Sequence, residues 1–234
     1  MTMQKTNQKQ TLLIVGAIVT VAVLAFVAII LLGQGGLNPT SSVSGDVTAS
    51  RNEDGSYILG DENAPITIVV FSDYFCGHCQ TYKSTIDRII TDYVNTGKAR
   101  LEHRLLGNLG NDSIRYAQLT ECAAAQGDAN TAWRAMDLLF NYATTRRLNS
   151  SDAGRELATA LQLNYARLLE CTANAQQYQV DKQIANGAQV TGTPAIRVRF
   201  AGDDLSALQL ISPQYRGGGV EYNTLARVIE DANR

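Results

Sequence analysis

Ile66-Thr-Ile-Val-Val-Phe-Ser-Asp-Tyr-Phe-Cys-Gly-His-Cys79 is the stretch that decides the fold. Ile66 to Phe71 follows Pro65 as a short, β-branched, nearly unbroken apolar run, the pattern of a strand buried on both faces of a sheet. Ser72 to Gly77 breaks it. A helix is expected from about Cys76, because Tyr82, Ile86, Ile89, Ile90 and Tyr93 recur at helical spacing and Gly97 supplies a stop. The first thiol, Cys76, then sits at a helix N-terminus, where unpaired N–H groups and the dipole favour thiolate over thiol. Its pKa is expected below the ~8.5 of a free cysteine. Cys79 lies one turn on, able to close a disulfide with Cys76 and expected to be the poorer nucleophile. His78 between them adds positive charge or a hydrogen bond to the sulfur. A thiolate of depressed pKa leaves readily, which makes the disulfide form oxidising.

Two other readings of Cys76 and Cys79 are weaker. Half a zinc site needs a second Cys or His pair at ligand spacing, and Cys122, Cys171 and His103 stand alone. A purely structural disulfide closing so small a ring would add little stability. The redox reading is therefore preferred, with no metal assigned.

Downstream, Ala99 to Leu106 carries Arg100, Glu102 and Arg104 on alternate positions, with Leu101, His103 and Leu105 between them: a half-buried strand or the edge of a sheet. From Asn111 to about Ala188 the period is helical throughout, with Asp128, Ser151 and Asn164 as N-cap candidates. Trp133 and Phe140 read as core of that block. After Gly192 the period returns to two. Ile196, Val198 and Phe200 alternate with Arg197 and Arg199, which are read as a solvated face, and Ala207 to Ile211 as a partner strand across Gly202-Asp203-Asp204. Gly217 to Gly219 breaks the chain before a last amphipathic helix through Leu225, Val228 and Ile229. His103 is read as a strand-surface or cap residue. Asn111-Asp112-Ser113 and Asn149-Ser150-Ser151 match a glycosylation pattern common by chance. The order gives an α/β mixed sheet, with parallel strands from the first β-α-β unit, interrupted by an all-helical insertion.

The 234-residue chain has a formal net charge of −2, which leaves no basic excess for phosphates and argues against nucleic acid as a partner. No charged residue lies between Lys9 and Asp46. Within that gap Leu12 to Leu32 is apolar except for Thr20 and Gly16. It would span ~30 Å, one bilayer core. Lys5 and Lys9 precede it and no Lys or Arg follows until Arg51, so the N-terminus is expected in the cytoplasm. A cleaved signal peptide would have a shorter apolar run and an A-x-A-like end; this run ends Leu-Leu-Gly-Gln-Gly-Gly, and an uncleaved single-pass anchor is preferred. The expected organisation is a cytoplasmic tail at 1–10, a transmembrane anchor at 11–33 and a linker at 34–55. A split sheet domain at 56–109 and 189–234 then brackets a helical insertion at 110–188.

Phe71-Ser-Asp-Tyr-Phe-Cys-Gly-His-Cys79 resembles the active-site entry of DsbA-like thiol–disulfide oxidoreductases of the thioredoxin superfamily, closest to the membrane-anchored or secreted bacterial subgroup with F-x-D-Y-x-C-x-x-C. Val190-Thr-Gly-Thr-Pro194 is similar to that family's V-x-G-T-P loop. The resemblance covers about residues 57–233. It implies a thioredoxin-like fold with the helical insertion, Cys76 as nucleophile and Cys79 as resolving thiol, and no cofactor. It also implies a cis Thr193–Pro194 bond facing the sulfurs, with Thr193 and Pro194 receiving the substrate peptide. Cys122 and Cys171, either unrelated core thiols or a pair, correspond to a helical-domain disulfide in some members. Substrates would be reduced or unfolded secreted proteins, with a membrane thiol oxidase as electron acceptor. The enzyme would be extracytoplasmic, at the periplasm or cell surface, and an oxidase in preference to an isomerase or reductase.

The sequence departs from the best-known members in carrying Gly-His where they have Pro-His. Gly-His is the dipeptide of protein disulfide isomerases, whose potentials lie near −180 mV against about −120 mV for DsbA. Val69 and Val70 fill the strand where many thioredoxin-fold enzymes carry a buried acid, so no proton acceptor for Cys79 is visible. Asp73 either tunes the thiols or caps the helix. The rival readings are a thioredoxin-fold Cu(I) chaperone using Cys76, Cys79 and His78, and a substrate-binding module whose cysteines do not turn over.

Overall fold

The computed structural model describes residues 47–234. A five-stranded sheet runs in the order β1-β2-β4-β3-β5. Its strands are β1 (Ala49–Arg51), β2 (Tyr57–Leu59), β3 (Ile66–Ser72), β4 (Arg100–Leu105) and β5 (Ala195–Phe200). β3 and β4 are parallel, and the other pairings are antiparallel. The parallel pair is joined by α1 (Gly77–Ile89) and a π-helical turn over Ile90–Val94. All seven residues of β3 are buried, as its apolar run requires.

Between β4 and β5 lie α2 (Asn111–Gln126), α3 (Ala129–Asn141), α4 (Ser150–Leu161), α5 (Tyr165–Thr172) and α6 (Gln177–Gly187), and α7 (Tyr222–Ala232) ends the chain. Asp128 caps α3 in a reciprocal capping box with Thr131, and Asn164 caps α5. Asn149, not Ser151, caps α4 through the Asp152 N–H. Trp133 and Phe140 are core residues, and the Trp133 indole donates to the Ile58 carbonyl at 3.0 Å, fastening the insertion to β2. Cys122 and Cys171 form a disulfide between α2 and α5, with their Cα atoms 5.7 Å apart.

Several expectations are corrected. β1 lies inside the stretch 34–55 read as a linker, so order begins before Ser56. Its three residues, half-buried Ala49 and exposed Ser50 and Arg51, give no apolar period, and it is held by pairing with β2, which the sequence reading also missed. Ala207 to Ile211 does not form a strand: one antiparallel bridge joins Val198 and Gln209. The Ala207 and Leu208 amides instead close turns onto Asp204 and Ser206. Arg197 and Arg199 are not solvated but fully buried. The Arg197 guanidinium donates to the carbonyls of Ala188 and Gln189, just past α6, and to Arg216. Arg199 donates to Glu102 at 2.5 Å. His103 is likewise buried rather than at the strand surface.

The expected anchor at 11–33, the tail at 1–10 and most of the linker lie outside the described residues. Among the described residues, no helix is long and apolar enough to cross a membrane.

Candidate active site

Cys76 is the N-cap of α1, with extended backbone at φ −78° and ψ 113°. Its carbonyl accepts the first intrahelical bond, from the Gln80 N–H at 2.9 Å, and its Sγ accepts from the Cys79 N–H at 3.4 Å. A cysteine thus takes the place of the usual Ser or Asp cap, and the helix's unpaired N–H groups converge on sulfur. Both Cys76 and Cys79 are free thiols here, 8% and 3% exposed. The Cys76 thiol donates to the Thr193 carbonyl at 3.2 Å. The Thr193–Pro194 bond is cis, and the buried Pro194 immediately precedes β5. The sheet brings these two motifs together: β3 delivers Cys76, and antiparallel β5 delivers Thr193 and Pro194 beside it.

The two thiols differ electrostatically. Burial pushes the Cys76 thiol up, but its contacts with Thr193 and with the backbone N–H groups of Cys79 and His78 outweigh this, leaving it below the ordinary thiol value. Burial pushes Cys79 up to about 12, and the neighbouring Cys76 sulfur adds to the rise. His78 itself is exposed, so its contribution to Cys76 comes from its backbone N–H rather than its ring.

Asp73 does not cap the helix; its backbone partly offsets the burial that raises Cys79, and its side chain has a further task. Its carboxylate accepts from the Phe75 N–H at 2.9 Å, the Asn108 N–H at 2.6 Å and the Ser113 hydroxyl at 2.5 Å. It fastens the active-site loop to the entry of the helical insertion. Cys76 caps α1 itself.

Two spaces adjoin the thiols. Outside, a groove of about 810 Å³ runs from His78 past Thr193 and Pro194 to Gly217, Gly218 and Gly219. Tyr82 builds its far wall: its hydroxyl donates to the Val220 carbonyl at 2.7 Å and accepts from the Val220 N–H at 3.1 Å. Gly219 lies against that ring so closely that a Cβ would sit 2.4 Å from it. Inside, behind Cys79, a cavity of about 30 Å³ is bounded by Ser72, His103, Lys83, Asp137 and Pro194. The sequence reading named neither Tyr82, Lys83 nor Asp137 as site residues. Tyr82 and Lys83 stand one turn beyond Cys79, at i+3 and i+4, which was the available signal; Asp137 had none. Among the described residues, no group of three or more His, Cys, Asp or Glu converges to hold a metal.

A dithiol at a helix start, opposite a cis proline on a mixed sheet flanked by helices, defines a thioredoxin-like protein. The thioredoxin family matches residues 52–200, and the chain belongs to that family. It is 29% identical over 157 residues to the Na(+)/H(+) antiporter NhaA 1 of Salinispora arenicola, covering 65% of this chain and 23% of that protein. It is 28% identical over 104 residues to disulfide bond formation protein D of Bacillus subtilis, covering 44% of this chain and 46% of that protein. The crystal structure of oxidised BdbD from Bacillus subtilis aligns with a TM-score of 0.61 at 22% identity, over 80% of this chain and 98% of that one. The chain therefore spans less than half the length of these two curated relatives. The DsbA-like resemblance of the two motifs agrees with these matches.

Proposed function

We propose that this protein is a thiol–disulfide oxidoreductase that oxidises secreted proteins. A substrate thiolate attacks Cys76 of the oxidised pair, the Cys76–Cys79 bond breaks, and Cys79 leaves as a thiolate that takes up a proton. A second substrate thiolate then attacks the substrate sulfur of the mixed disulfide, and Cys76 leaves as a thiolate. The substrate loses two electrons and the enzyme pair gains them. The observation that carries this reading is the unequal pair: Cys76 lowered at the helix cap, Cys79 raised by burial behind it. A stabilised Cys76 thiolate favours the reduced enzyme, which makes its disulfide an oxidant. Thr193 and Pro194 beside Cys76, with the groove continuing to Gly218, give an extended substrate peptide a place to lie.

The preference for oxidase over isomerase or reductase rests on this thiolate stabilisation. The Gly-His dipeptide tempers it towards a potential nearer about −180 mV than about −120 mV. The apolar run Leu12 to Leu32 supports a single-pass anchor in the cytoplasmic membrane, with the N-terminus inside and the folded part outside. A Cys122–Cys171 disulfide suits that oxidising side. The reduced pair then needs an acceptor there, and a membrane thiol oxidase is the class that fits. Equilibration of the full chain with glutathione redox buffers tests the direction. An oxidase gives a potential between about −180 and −120 mV, and one near the thioredoxin value of about −270 mV makes it a reductase.

A further inference from the structure

The groove beside Cys76 is rich in hydrogen-bond acceptors. Its α1 wall presents His78, Thr81, Ser84 and Thr85. The Thr81 hydroxyl donates to the Gly77 carbonyl at 3.1 Å, and the Ser84 hydroxyl to the Thr81 carbonyl at 3.1 Å. A hydroxyl has one proton and two lone pairs. With that proton given to the helix, both oxygens meet the groove as acceptors.

At the far end stands Glu221, the one acid that lines the groove among the described residues; no Lys or Arg lines it. The chain holds Glu221 there. Gly218 pairs with Ala195 of β5 in a parallel bridge, and Gly217 lies where a Cβ would meet the Thr191 hydroxyl at 2.8 Å. Val220, next in line, is bonded to the Tyr82 hydroxyl through both its N–H and its carbonyl. Glu221 opens α7 as its N-cap through its backbone, its carbonyl accepting from the Thr224 and Leu225 N–H groups at 3.0 and 3.1 Å. Its side chain makes no capping bond and stays exposed. The Tyr215 hydroxyl donates to its Oε2 at 2.6 Å and holds the carboxyl below the usual range, while no cation of the described residues bears on it. Burial raises the Tyr82 pKa, and the Glu221 charge adds to that rise, so the carboxylate acts within the groove wall. From Cys76 to Tyr82 the helix rises about 9 Å, a span that about three residues of extended chain cover.

We propose that this groove selects substrate segments with a Lys or Arg about two to four residues from the reacting cysteine, Glu221 pairing with the cation and the Thr81 and Ser84 oxygens accepting its N–H groups. The inference rests on the redox reading above and names the substrate class of that same site. Lys and Arg carry donors and no acceptor, the complement of a wall that offers acceptors and a carboxylate. A Glu or Asp at the same place meets like charge and finds few donors. Glu221 touches the substrate away from sulfur, so it sets which segment is seated and leaves the exchange chemistry to Cys76 and Cys79.

The test uses the oxidised full chain in detergent and single-cysteine peptides that differ only in carrying Lys, Gln or Glu at those distances, on either side of the cysteine. Opening of the Cys76–Cys79 bond by excess peptide is followed by acid quench and mass spectrometry. Each rate is divided by the same peptide's rate with glutathione disulfide, which removes the effect of charge on the peptide thiol itself. The Lys peptide is expected to exceed the Gln peptide by about 3–5-fold, the upper part of what an exposed ion pair supplies, and the Gln peptide to exceed the Glu peptide. The preference is expected to shrink as ionic strength rises. Glu221→Gln is expected to abolish it and Glu221→Lys to reverse it. A Lys-to-Gln ratio below two-fold in the parent, a preference for Glu, or a ratio unchanged in folded Glu221→Gln overturns the proposal. The salt series on the parent needs no variant to fold, and a preference indifferent to salt overturns it too. If neither the peptides nor glutathione open the disulfide, the redox reading itself falls, an outcome distinct from equal rates among peptides that react.

Discussion

Strand β4 carries two kinds of buried polar residue, on opposite faces of one sheet, and they are built to different ends. On the face towards α6, Arg104 donates to Glu102 at 2.6 Å, Asp181 at 3.1 Å and Asp54 at 2.5 Å. Arg199 completes Glu102 from β5 at 2.5 Å. Asp181 also accepts the Leu105 N–H at 2.9 Å and Gln177 at 3.2 Å. The guanidinium and carboxylate groups there have partners in good geometry, and the network is closed. On the other face His103 has Ser72, an open cavity, and Cys79 nearby. On one face Glu102 and Arg104 are locked; on the other His103 lines the cavity beside Cys79. A sheet edge-on to catalysis needs both: a face too costly to rearrange and a face with room.

The comparison breaks most severely if the thiols are equivalent. Cys76→Ala is expected to abolish disulfide exchange, whereas Cys79→Ala is expected to accumulate mixed disulfides with substrate proteins, seen by non-reducing electrophoresis. Next in size is the locked face. Glu102→Gln leaves the buried Arg199 without its carboxylate and Arg104 with Asp181 and Asp54 alone, and is expected to cost about 3–5 kcal/mol in denaturant unfolding. The potential of the Cys76/Cys79 pair should hold, because Glu102 lies across the sheet from Cys79. A shifted potential with little loss of stability would reverse the assignment of the two faces.

Removing the Cys122–Cys171 bond frees a loop with a sequence separation of 49 and is expected to cost about 2–4 kcal/mol, read as a lower melting temperature with the active-site potential unchanged. Smallest is Tyr82→Phe. It deletes the hydroxyl that holds Val220 and is expected to cost about 1 kcal/mol. Its larger signature is weaker peptide binding in the groove, with no change at the thiols.

Much of this was legible in sequence because it is local. The buried run of β3, the two cysteines at a helix start and the helical period from Asn111 onward each announce themselves within a few turns of chain. Val190-Thr-Gly-Thr-Pro194 supplied the second motif, and the cis bond and its place beside Cys76 followed from resemblance. The locked face was misread because alternate charges look alike whether water or another chain segment satisfies them. Arg104 meets Asp181 across 77 residues and Arg199 meets Glu102 across 97, and no local pattern marks such partners. β1 and β2 are three residues each, too short for any period. Lys83 and Asp137 drew no reading from the sequence. Only the folded chain brings them together, as an ion pair between α1 and α3 beside the cavity behind Cys79.

The unequal thiols are the centre of the account, and site-resolved alkylation of the reduced full chain across pH tests them directly. Cys76, with its pKa lowered, keeps its reactive thiolate as pH falls below the range of a free thiol and loses it only below its own folded value. Cys79, with its pKa pushed up to about 12, stays protonated and unreactive throughout the neutral range. The expected result is rapid modification of Cys76 alone at pH 7, with Cys79 labelled only in strong alkali or after unfolding. Equal rates for the two thiols at pH 7 in the folded protein would contradict it.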